Sequence, residues 1–85
     1  MSDKHVVDGE FTRSRIRLDF GNRQITVLGE MTTPAKGRTD FWISRRSFKH
    51  WDDGKALTAS EVEEVILAAE ALAKTRGVHL HVDED

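Results

Sequence analysis

The chain contains no cysteine. No disulfide staples its core, and no thiolate is available as metal ligand or nucleophile. Secreted domains of this size commonly rest on disulfides, so the absence points to the cytoplasm. No apolar run approaches the length of a membrane span. The start, Met1-Ser2-Asp3-Lys4-His5, lacks the apolar stretch of a secretory signal. No glycine-rich phosphate loop is present, and Gly29-Glu30 has no strand-loop-helix context. Ser47 lies near His50 without an orienting partner or oxyanion site. Asp52-Asp53-Gly54 has neither the alternating oxygen ligands nor the distant glutamate of a calcium loop, and reads as a turn. These absences lead to an expectation of no catalysis and no cofactor.

What is present fits one small domain of 85 residues. Its core is modest, and so is the stability expected of it. The formal net charge of −2 conceals an asymmetry. Arginines dominate the first half, from Arg13 to Arg46, and acids the second, from Asp52 to Asp85. Such a division either makes a bipolar surface that steers a charged partner or cancels when the chain folds.

Residues 1–12 carry no period and are expected to form a disordered tail. From Arg13 the pattern alternates: Ile16, Leu18 and Phe20 are apolar, and Arg15, Arg17 and Asp19 polar, as in a half-buried strand. Gly21-Asn22 is a turn pair, and Ile25 and Val27 alternate with Gln24 and Thr26 in a second strand. The stretch from Gly29 to Thr39, with Pro34 and Gly37, reads as turn-like. A third strand fits Asp40 to Ser44. Thr58 and Glu61 match a capping box, with Leu57 and Val62 as its hydrophobic staple. The stripe Val62, Val65, Ile66, Ala69, Leu72 and Ala73 predicts an amphipathic helix to Arg76, stopped by Gly77. Val78, Leu80 and Val82 alternate with His79 and His81 in a last strand, and Asp83-Glu84-Asp85 is an acidic tail. The expected fold is α+β over residues 13–82, in the order β-β-β-α-β. A three-stranded antiparallel meander is covered by the helix and joined by the C-terminal strand, which pairs with the third strand in parallel or with the first.

Among candidate sites, His79 and His81 share a strand face, but nothing fixes a third ligand beside them, and no metal is expected. Arg13, Arg15 and Arg17, with Arg23 nearby, form a row that suits phosphate, interrupted by Asp19. Trp42 faces away from the helix if Phe41 and Ile43 face it, and would then mark a contact surface; the opposite facing puts Trp42 in the core. Trp51, set among polar residues before a turn, either caps the core or anchors a partner.

The stretch Ser47-Phe48-Lys49-His50-Trp51-Asp52, followed by Leu57-Thr58 and Glu61 at the head of an acidic helix, resembles a family of small bacterial proteins, the immunity protein 74 family, found beside polymorphic toxins. Gly29-Glu30 after the second strand fits as well, and the likeness runs from Arg15 to Val82. The chain departs from it at Asp53-Gly54, where proline is expected. The resemblance implies a protein that binds and neutralises a cognate toxin domain and performs no chemistry. It matches Glu30, Trp51 and Asp52 to motif positions without deciding whether they touch toxin or hold the fold. One patch is geometrically possible, with Trp42 and Trp51 as anchors and Glu30, Arg45, Arg46, Lys49, Asp52 and Asp53 as rim. The expected partner is the toxin domain, with no membrane and no nucleic acid, and the expected state is a monomer or weak homodimer. The alternative is a small nucleic-acid-binding or regulatory module that uses the arginine face.

Overall fold

A computed structural model describes residues 8–35 and 37–84, with the side chains of residues 34 and 35 left aside. The fold is α+β. Sheet A is antiparallel with strand order β1 (Asp8–Phe11), β2 (Arg15–Asp19), β3 (Gln24–Leu28). Sheet B has the order β4 (Glu30–Ala35), β5 (Arg38–Ser44), β6 (Val78–Asp83), with β4 antiparallel and β6 parallel to β5. A 3-10 turn (Arg45–Ser47) follows β5, and the one α-helix among the described residues, α1, spans Ala59–Arg76.

The antiparallel three-stranded sheet, the single helix and the C-terminal strand are as the sequence pattern leads one to expect. The membership of the sheets is not. The strand at Asp40 to Ser44 does not extend the first hairpin; it is the centre of sheet B. Two strands lie where none is signalled. Asp8–Phe11, inside the expected tail, pairs with β2. Gly9 occupies the inward position of β1, where a methyl group would stand 2.7 Å from Leu72 Cδ2, so the apolar alternation of that strand shrinks to Phe11 alone. Residues 1–7 of the expected tail lie outside the described residues. The stretch expected as turn-like contains β4, an edge strand that tolerates Pro34 because, among the described residues, no further strand needs its missing N–H.

Gly29 is the seam between the sheets. Its N–H donates to the Ser14 carbonyl (2.9 Å), and the Met31 N–H donates to Arg13 (2.9 Å), so β3 and β4 leave the same edge of the chain at a corner. A side chain at Gly29 would stand 2.7 Å from the Trp42 carbonyl oxygen and closer still to the Phe41 ring. The glycine is there because β5 passes too near for a Cβ.

Ile16 and Leu18 of β2, Ile25 and Val27 of β3, and Phe41 and Ile43 of β5 meet Val65, Ile66 and Ala69 of α1 in one core, closed by Phe48 and Trp51. The helix begins as its residues dictate. Thr58 Oγ1 accepts from the Glu61 N–H (3.2 Å), Glu61 Oε1 accepts from the Thr58 N–H (2.9 Å), and Gly77 ends it in the left-handed region (φ 70°). Its two ends are tied to sheet A. Arg23 bridges to Glu61 (3.0 Å), and Arg76 donates to the Gly9 carbonyl (3.0 Å).

Candidate functional site

Alternation along β5 buries Phe41 and Ile43 and turns Trp42 to the outer face of sheet B, where the indole is 49 % exposed. Register places Glu30 of β4 on one side of it and His81 of β6 on the other. The Trp42 and His81 rings stack, with centroids 4.0 Å apart and planes 12° from parallel. The indole Nε1 donates to Thr32 Oγ1 (3.1 Å). A half-exposed tryptophan is thereby held in one pose before anything binds it. That removes part of the ordering cost a flexible anchor would incur on binding.

Beneath this stack lies Asp40, 2 % exposed although it sits on the outer face. Its Oδ1 accepts from His81 Nε2 (2.9 Å), and its carboxylate takes a forked contact from Arg38 (Nε and Nη2, 3.2–3.3 Å). Hydrogen bonding from His81 holds the Asp40 carboxyl below its ordinary value of 3.8, with Arg38 adding to it against the opposing effect of burial. An ionised aspartate only accepts, so His81 carries a proton on Nε2, which fixes the ring that Trp42 stacks upon. Arg38, Asp40 and Thr32 are functional candidates that the sequence pattern does not single out. The shared face of His79 and His81 is visible in the sequence, but the parallel register that brings His81 to Trp42 is not. Among the described residues no three histidine, aspartate or glutamate side chains converge as a metal site.

The other tryptophan does the opposite. Trp51 is buried (7 % exposed). Phe20 meets it edge-on (5.8 Å, 80°), the Arg23 guanidinium lies 4.1 Å over its ring, and its Nε1 donates to Glu61 Oε1 (3.3 Å). Glu61 therefore serves the helix cap, the indole and Arg23 at once. The Thr58 N–H above all, and then Trp51 and Arg23, hold its carboxyl below its ordinary value of 4.5. The segment around Trp51 is pinned to sheet A. Asp52 N donates to the Gln24 carbonyl (2.9 Å), and Asp52 Oδ2 accepts from Thr26 Oγ1 (3.1 Å). Asp53 Oδ1 accepts from the Lys55 N–H (2.9 Å), closing the turn at Gly54.

The eight candidate residues thus fall into separate groups. Trp42 and Glu30 share the outer face of sheet B, where the Glu30 carboxylate has no partner among the described residues. Arg45 is paired with Glu63 of the helix and with Glu84 (3.6 Å). Arg46 and Lys49 border a groove beside β3. Asp52 and Asp53 belong to the loop that Trp51 plugs into the core. On the outer face of sheet A the arginine row is broken by acids: Arg17 lies in register with Glu10 and Thr26, and Arg15 with Leu28. Arg23 leaves that row and turns to Trp51.

The family model for immunity protein 74 matches residues 7–83, nearly the whole chain, and the chain belongs to that family. No curated protein and no solved structure matches it. No helix among the described residues is long and apolar enough to cross a membrane.

Proposed function

We propose that this chain neutralises a cognate toxin domain by binding it directly in the cytoplasm of a bacterium that carries a polymorphic toxin, with no chemistry of its own. The contact centres on Trp42. Membership in an immunity-protein family supplies the class of partner. The single observation that carries the site is the exposed Trp42 indole, fixed between the His81 ring and the Thr32 hydroxyl. Protein interfaces draw most of their energy from a few such aromatic anchors within a polar rim. Glu30, on the adjacent strand and without a partner among the described residues, belongs to that rim.

The test is co-expression with the toxin domain encoded beside the gene, followed by calorimetry on the purified pair. Trp42→Ala should weaken binding by about 2 kcal/mol or more and lower protection of cells, with circular dichroism unchanged. Full protection and unchanged affinity in a folded Trp42→Ala protein would move the interface off sheet B.

A further inference from the structure

The outer edge of β3 is an unfinished strand ladder. In the β2–β3 hairpin, Phe20 N donates to Arg23 O (2.8 Å) and Gly29 N donates to Ser14 O (2.9 Å). With the register Arg15↔Leu28 and Arg17↔Thr26, the bonded pairs are therefore the even residues of β2 with the odd residues of β3. The N–H and C=O groups of Gln24, Thr26 and Leu28 must point away from β2. At Gln24 the chain supplies its own neighbour, since Asp52 N donates to the Gln24 carbonyl. Beyond that point Thr26 and Leu28 line a groove of ≈ 350 Å³ together with Arg46, Ser47, Lys49 and His50. Among the described residues no strand pairs with β3 on this side.

Two further properties describe what fits. Leu28 is 66 % exposed at the open end, an aliphatic side chain without cover among the described residues. Arg46 and Lys49 on the far wall, and Arg15 beside Leu28, are exposed and have no carboxylate partner among the described residues. The geometry points to a docking site for an extended acidic segment of a partner protein, added as a fourth strand to sheet A along Thr26 and Leu28. Such a segment supplies backbone donors and acceptors to the edge, an aliphatic side chain to Leu28 and carboxylates to the three cations. A second copy of the chain is a poor occupant, because symmetric pairing of two β3 edges brings the same cations together. Nucleic acid is disfavoured by the aliphatic centre, which offers bases no stacking surface, and by Asp52 at the closed end. This site lies on the other sheet from Trp42 and does not depend on the toxin contact there.

The test uses the full chain, labelled for NMR, and the blocked hexapeptide acetyl-(Glu-Val)3-amide. Saturable shifts of the Thr26 and Leu28 amides are expected. Binding should be about tenfold or more weaker for the lysine counterpart acetyl-(Lys-Val)3-amide, for an N-methylated peptide that cannot donate to the edge, and for the Arg46→Glu/Lys49→Glu protein. Leu28→Gln, a change at an exposed position that leaves the fold intact, should also weaken it. Absence of a saturable shift, equal binding of the lysine peptide, or tighter occupation of the same amides by a single-stranded oligonucleotide would each overturn the proposal. Loss of the peptide site with toxin affinity retained defeats this inference alone. Peptide binding in a protein that no toxin recognises defeats only the function proposed for Trp42.

Discussion

The two tryptophans are built into nearly the same company and face opposite ways. Each indole donates its N–H to an oxygen, lies against a flat or cationic group, and has a carboxylate within the same cluster. Around Trp51 these are Glu61, Arg23 and Phe20. Around Trp42 they are Thr32, His81 and, below, Asp40 with Arg38. The difference is which way the strand or loop faces. Trp51 looks inward and joins the hairpin turn to the helix cap. Trp42 looks outward, so the same kind of clamp fixes an indole that stays half exposed. A rigid aromatic inside a core contributes stability; a rigid aromatic outside one contributes little to stability and is suited to recognition.

The largest expected difference between the two is in stability. Trp51→Ala should cost about 3–5 kcal/mol in urea denaturation, because it opens a cavity and strips Glu61 and Arg23 of a partner. A loss below about 1 kcal/mol would show that Trp51 is not a core residue.

Gly29→Ala tests the seam on which the separation of the two regions rests. The added methyl meets the Trp42 carbonyl and the Phe41 ring, so a loss of about 1–3 kcal/mol is expected, with a changed indole environment seen by Trp42 fluorescence in a Trp51→Phe background. Unchanged melting would mean that β5 can retreat from the corner.

Acid should weaken both clusters. The Glu61 and Asp40 carboxyls are held below 4.5 and 3.8, so the unfolded chain takes up protons more readily than the folded one. The stability each contributes is complete above its ordinary value and is lost as pH falls through the lowered value. Urea midpoints should therefore drop below about pH 4.5, and Glu61→Gln and Asp40→Asn should each flatten the drop. A pH profile unaltered by either variant would show that neither carboxylate is held as described.

The smallest effect is expected at Trp42 itself. Trp42→Ala should change stability by less than about 1 kcal/mol, against the larger effect proposed for toxin affinity. A loss comparable to that of Trp51→Ala would make both indoles structural and remove the contrast.

Elements governed by near neighbours could be read from the chain. The Thr58–Glu61 box, the stripe from Val62 to Ala73 and the Gly77 stop lie within a few residues of one another, so their chemistry is local and the helix follows from it. The first hairpin is equally local, with its turn at Gly21-Asn22. β1 and β4 could not be read. One has a glycine where the period needs an apolar side chain, and the other is a polar edge strand with a proline. The candidate site was half visible. Trp42 could be singled out as an aromatic of undecided facing, but its orientation depended on Phe41 and Ile43 finding the core. Its partners Thr32 and His81 come from the strands on either side of it, and His81 lies 39 positions beyond Trp42. A residue's own chemistry and spacing decide helix, turn and strand. Which strands become neighbours, and in which register, is settled only when the two sheets close on one core, and that closure also separates the outward tryptophan from the inward one.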